Sequence, residues 1–284
     1  MTKIFLLLLI SSQTFAGFGP LSDSGIRGKA YKEIIKDLKN LESKLPNYVK
    51  IIQYGESEKG TPLFVARLGQ PRAGAKTVLI SGATHGNEYL NIADRLPTFF
   101  SKMKRAKSFK KLVSNKVIYI VPIFNPDGYT AIRRENSNRK DLNRDFPLMS
   151  QNKVRLTQNE TKYWVKFLEQ QVQKYELDVK LSVDYHCCYG ALLFPWAYTR
   201  DVKLEPEDLV RHNQLGELMK DEIDNRYVYG STGDILWYTA AGTSKDYYYD
   251  KFKALSVTFE GEFKKENLKY DKHQKWWLRI LKNL

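Results

Sequence analysis

Thr77-Val78-Leu79-Ile80-Ser81-Gly82-Ala83-Thr84-His85-Gly86-Asn87-Glu88 starts apolar, turns small and polar, and ends on an imidazole and a carboxylate three positions apart. A short apolar run bounded by Ser and Gly reads as a buried strand. His85 then sits at the strand's carboxyl end, where open α/β sheets place their ligand sites. The pair His85 and Glu88 can grip one metal ion from a single turn. A catalytic zinc takes three protein ligands and keeps a fourth position open, so another ligand is required. Only His186, His212 and His273 remain as histidines.

Working outward, residues 31–45 carry Ile34, Ile35, Leu38, Leu41 and Leu45 at helical spacing, with Pro46 just beyond. That is an amphipathic helix. Residues 48–54 and 63–68 read as two strands forming a hairpin or an edge pair, residues 88–102 as a helix, and 117–123 as a strand buried on both faces. Asn125-Pro126-Asp127-Gly128 closes that strand with a turn, and the polar stretch 133–147 is long enough for a functional loop. Residues 157–172, 205–223 and 266–281 are helical, 179–185 and 254–259 are strands, and 192–196 continues the apolar pattern. His186 and Glu260 lie at strand ends, as His85 does. His212 and His273 sit inside charge-rich helices. The alternation predicts an α/β fold, a single domain with a mixed, mostly parallel central sheet flanked by helices.

The 284-residue chain carries 46 Lys plus Arg against 32 Asp plus Glu, a net charge of +14. Lys3, the apolar run 4–10, and Thr14-Phe15-Ala16 have the layout of a secretory signal peptide cleaved after Ala16, leaving residues 17–284 as a single mature domain. The apolar run is shorter than the roughly 20 residues a membrane-spanning helix needs, and no cysteine lies nearby to carry a lipid. An exported, periplasmic or secreted protein with no stable membrane anchor is expected. Its basic surface concentrates anionic partners such as acidic peptides or cell-wall polymers, and export disfavours nucleic acid. Cys187 and Cys188 are adjacent and cannot staple distant segments; free or weakly bonded thiols are the default expectation, with a strained vicinal disulfide as the uncommon alternative.

Read together, the ordered motifs extend well beyond one metal pair. They are Thr84-His85-Gly86-Asn87-Glu88, Asn125-Pro126-Asp127-Gly128-Tyr129, Arg134-Glu135-Asn136-Ser137-Asn138, Asp141-Leu142-Asn143-Arg144-Asp145-Phe146-Pro147, His186, and Thr258-Phe259-Glu260. In this order and spacing the chain closely resembles the zinc metallocarboxypeptidases, also called funnelins. The resemblance implies that His85, Glu88 and His186 hold one Zn2+, that Asp141 fixes the first histidine's tautomer, and that Asn143 and Arg144 hold a substrate's terminal carboxylate. A guanidinium fork suits that last task because it meets both oxygens. Arg134 matches the arginine that stabilises the developing oxyanion, with Arg133 as the alternative register. Glu260 matches the general base and acid, with Glu262 as the alternative two residues on. Tyr238, twenty-two residues before Glu260, matches a mobile tyrosine that closes over the terminus.

Lys245 falls where this family sets the base of its side-chain pocket. A lysine there implies preference for an acidic terminal residue, by Coulomb attraction in a partly desolvated pocket; a lysine turned to solvent on a loop is the alternative. The short distance from Gly17 to the first strands and the early end after Glu260 fit a minimal bacterial catalytic domain, resembling enzymes that release diaminopimelate-type ends from cell-wall peptides. The expected substrate is thus a peptide or muropeptide with a free, anionic C-terminus. Two rivals are an N-acyl amino acid acylase of the aspartoacylase or succinylglutamate desuccinylase type and an inactive cell-wall-binding homologue.

Overall fold

The computed structural model describes residues 28–101, 106–148, 151, 155–262 and 270–284. The leader read at residues 1–16 lies outside these. Eight strands form one sheet in the order β1-β2-β4-β3-β5-β8-β6-β7, with β1 Val49–Glu56, β2 Pro62–Leu68, β3 Lys76–Gly82, β4 Lys116–Val121, β5 Asp178–Cys187, β6 Ala191–Phe194, β7 Val228–Ser231 and β8 Leu255–Gly261. The central run β4-β3-β5-β8 is parallel; β1-β2, β2-β4 and β6-β8 are antiparallel, so the sheet is mixed as expected.

Period-two alternation sorts the central strands between two apolar layers. Val78, Ile80, Ile118 and Ile120 face one layer, packed with Ile34, Leu38, Phe100, Trp276 and Trp277. These come from α1 (Tyr31–Lys44), α2 (Leu96–Ser101) and α9 (Tyr270–Asn283). Leu79, Val117, Tyr119 and Val121 face the other layer, with Trp164, Val165, Leu168, Tyr247 and Tyr248. The short α3 (Ala106–Leu112) precedes β4, and the one-turn α4 (Pro126–Thr130) follows it. The helix α5 (Asn159–Tyr175) precedes β5, α6 (Pro206–Glu222) and the short α7 (Thr232–Leu236) flank β7, and α8 (Ser244–Phe252) leads into β8. No helix among the described residues is long and apolar enough to cross a membrane.

The sequence does not announce α3, β7, α7 or α8, and it suggests a longer helix than α2. Within the span 88–102, the described residues 88–101 hold only the six-residue α2, begun at Leu96-Pro97, and residue 102 lies outside the described residues. Ahead of it Asn91 takes a left-handed φ of 56°, and its side chain accepts hydrogen bonds from Tyr89 Oη and Arg95 Nε, which compete with a helical ladder. Conversely, α8 forms where no amphipathic period is visible. Its Tyr247, Tyr248 and Tyr249 are all buried, so the helix has little polar face to betray it.

His273 on α9 is buried against Tyr185 and Phe259, and both ring nitrogens lack a hydrogen-bond partner among the described residues. Burial pushes its pKa down to about 3. The unfolded chain takes up this proton near pH 6.5, but the folded chain cannot, so the stability present above pH 6.5 is lost as pH falls toward 3. His273→Phe should flatten the acid side of the stability curve by on the order of 3 kcal/mol at pH 4. Urea titrations of both proteins at pH 7 and pH 4 check this; parallel losses would refute it.

Candidate metal centre and its cleft

The centre is assembled from the carboxyl ends of β3, β5 and β8. Beyond β3 the chain turns sharply, Ala83 at φ 52° and the Glu88 amide bonding back to His85 O at 3.0 Å. Gly86 lies directly on the backbone of Gly128 and Tyr129. A Cβ there would sit 2.1 Å from Gly128 C, so this turn admits only glycine. On the opposing side Asn125 caps α4, its side chain accepting from Gly128 N at 2.8 Å. His186 falls in β5 beside Glu260 of β8, the two being direct register partners.

Three donor atoms converge. His85 Nδ1 and His186 Nδ1 lie 2.8 and 2.9 Å from Glu88 Oε2 and 3.0 Å from each other. Tetrahedral zinc with bonds of about 2.0–2.1 Å separates its ligands by about 3.3 Å, close to this spacing. Two imidazoles and one carboxylate therefore fit one zinc ion. Both histidines turn the other nitrogen to a carboxylate: His85 Nε2 to Asp141 Oδ1 at 2.9 Å, and His186 Nε2 to Asp184 Oδ2 at 2.9 Å. An Nε2 proton shared with a carboxylate leaves the Nδ1 lone pair facing the shared point.

Asp141 also caps the 3-10 turn Leu142–Arg144, accepting from Asn143 N at 2.9 Å. Burial raises the Asp141 carboxyl, but the His85 hydrogen bond and the charges of Arg134 and Arg144 outweigh it and hold it well below the usual range. Arg134 spans both acids, donating from Nη1 to Glu88 Oε1 at 2.8 Å and from Nη2 to Asp141 Oδ2 at 3.0 Å. Glu260 is pushed up by burial, with His186 opposing.

A cleft of about 250 Å3 opens on these groups, and its lining includes His85, Glu88, Arg134, Asn143, Arg144 and Glu260. Tyr238 lines it too, half exposed at 48%. Lys245 lines it from the first turn of α8 and is only 3% exposed, so it does not turn to solvent. Burial lowers its pKa. Asn143 Oδ1 accepts from Ser244 N at 2.9 Å, and Arg144 Nη1 donates to Asn143 O at 2.8 Å. The alternatives fall outside the cleft lining: Glu262 pairs with Arg226 at 3.3 Å, and Arg133 is half buried elsewhere. His212 is a core group, bonded to Asp208 O and accepting from Ser256 N.

Cys187 and Cys188 correct the expectation of free thiols: they form a disulfide, and both line the cleft. Asp184 was not singled out in the sequence. Its signal is a carboxylate on the polar, alternating face of a buried strand, after Lys180 and Ser182 and two residues before a candidate ligand.

The profile of the zinc carboxypeptidases matches residues 34–277 of the chain. Human mast cell carboxypeptidase A is 26% identical over 263 residues, covering 81% of this chain and 62% of the relative, so this chain spans under two thirds of that protein's length. Carboxypeptidase B of Astacus astacus is 22% identical, covering 76% of this chain and 80% of the relative. Bovine thrombin-activatable fibrinolysis inhibitor superposes with a TM-score of 0.70 at 21% identity, over 89% of this chain and 97% of that one. A metallo-carboxypeptidase from Burkholderia cenocepacia gives 0.66 at 17% identity, over 89% and 69%. At these identities the superpositions establish a shared fold.

Proposed function

The chain belongs to the zinc carboxypeptidase family, and from that premise we propose that it is an exported zinc-dependent enzyme removing C-terminal residues from peptides, with a preference for acidic or diaminopimelate-type ends. One observation carries the preference: Lys245, almost wholly buried, lines the same cleft as His85, Glu88 and Arg144. A terminal residue in that cleft meets one cation for its main-chain carboxylate and a second for its side chain. Export rests on the leader at residues 1–16, and the excess of 14 positive charges favours anionic substrates such as cell-wall peptides.

The roles follow from the groups present. Arg144 and Asn143 hold the terminal carboxylate, and Tyr238 closes over it from the half-exposed rim. Bound zinc supplies Lewis acidity toward the scissile carbonyl. Arg134 adds a fixed positive charge for the oxygen that becomes negative as the carbonyl is attacked. Glu260 takes a proton from the attacking water and returns one to the leaving amine; its burial suits both halves of that task by raising its proton affinity.

Mass spectrometry of digests from a C-terminal peptide library and from muropeptides, made with the zinc-loaded protein, tests this reading. Release of C-terminal Glu, Asp or diaminopimelate ahead of apolar and basic residues is the expected result. Preferred release of Lys or Arg would overturn the specificity, and hydrolysis of N-acetylaspartate with no peptide cleavage would replace the reaction.

A further inference from the structure

Strand β5 carries an acid two residues before its metal-facing histidine, and alternate strand residues share a face. Asp184 is 2% exposed, and four groups converge on its two oxygens. Ser81 Oγ and Thr84 Oγ1 reach Oδ1 at 2.7 and 2.9 Å, while Ser244 Oγ and His186 Nε2 reach Oδ2, both at 2.9 Å. These partners come from the end of β3, the turn leading into His85, the start of α8 and β5 itself. A carboxylate can only accept, so the three hydroxyls and the imidazole must all donate to it. Donation from Nε2 leaves His186 with its lone pair on Nδ1, the atom 2.9 Å from Glu88 Oε2 and 3.0 Å from His85 Nδ1. Asp141 does the same for His85 from the other side of the centre.

We propose that Asp184 is the positioning residue for His186: it keeps the imidazole's proton on Nε2 and its Nδ1 lone pair on the metal, and through Ser244 ties that ligand to the start of α8, which carries Lys245. The inference rests on the zinc reading of the triad. An uncharged Asn at this position keeps the shape and one acceptor, and neighbouring hydroxyls can rotate to receive its amide. Asp184→Asn should therefore fold, with a metal-free Tm within a few degrees of the parent, yet release zinc to a chelator about 10- to 100-fold faster. The visible absorption of its cobalt(II) form should also change, because the donor strength of His186 falls; a purely structural Asp184 would leave that spectrum alone.

Nitrogen-15 NMR of the histidines in the zinc-loaded parent needs no substitution and reads the same point. His186 should be protonated at Nε2 and metal-bound at Nδ1; binding through Nε2 overturns the proposal. If the parent holds one zinc but Asp184→Asn releases it at the parent's rate, the role of Asp184 alone falls. If the parent binds no zinc, the metal reading falls and this inference falls with it.

Discussion

Glu260→Gln should lower kcat by about 10²- to 10⁴-fold while the protein still holds one zinc per chain. Glutamine matches glutamate in volume and can still hydrogen-bond, so the cleft should keep its shape. What it loses is the capacity to take a proton and carry it to a leaving amine. Zinc content should not change, because Glu260 stands beside the triad rather than in it: the converging donors are His85, Glu88 and His186. The position is fixed by the sheet, since β8 pairs with β5 in a register that sets Glu260 directly beside His186. Glu262→Gln is the natural control. Its carboxylate, 18% exposed, pairs with Arg226 outside the cleft lining, so that variant should keep kcat within about twofold, as substitutions away from a site usually leave little trace. Steady-state kinetics with metal analysis of the same samples separates the cases. Full activity in Glu260→Gln would remove this residue from the reaction, and loss of zinc would make it a metal-site residue instead.

The parts of this fold that were plain in the sequence are those where one period dominates. The β3 run 77–80 and the β4 run 117–121 are apolar on both faces because helices cover both, and α1 shows its buried stripe at Ile34, Ile35 and Leu38. Each donor of the triad sits at such a strand end or in the turn after one, so a reading of strands was enough to bring them together. The failures have physical causes as well. Residues 88–95 have helical composition, but the side chains of Tyr89, Asn91, Asp94 and Arg95 bond one another and hold the chain in turns. In α8 three consecutive tyrosines are buried, which erases the amphipathic signal. Asp184 was missed because a single acid in a strand names no partner until the fold brings Ser81, Thr84, Ser244 and His186 around it. General bridge geometry disfavours a bond between neighbours, yet Cys187 and Cys188 are joined.

Lys245→Asp should reverse the preference for the terminal side chain, turning kcat/KM for C-terminal Glu over C-terminal Lys by about 10²- to 10³-fold. The magnitude follows from the cost of exchanging attraction for repulsion. One unit-charge pair near 4 Å is worth up to about 4 kcal/mol at an effective dielectric of about 20, and imperfect distance and residual water reduce this. Local physics argues that this lysine is not there for stability. It lies in the first turn of α8, where the helix dipole disfavours a cation; it is 3% exposed; and Arg144 adds a like charge nearby. Asp246 and Glu260 offset part of that cost. Removing the charge should then spare or raise stability, so Lys245→Met is expected to melt no lower than the parent while its Glu-over-Lys ratio falls toward one. A structural lysine would show the opposite pattern, with a lower Tm and an unchanged ratio. Competition between two peptides that differ only in the last residue measures the ratio without needing either KM. An acidic preference that survives in Lys245→Asp would place the selecting charge elsewhere in the cleft, where Arg134 and Arg144 are the cations that remain in the lining.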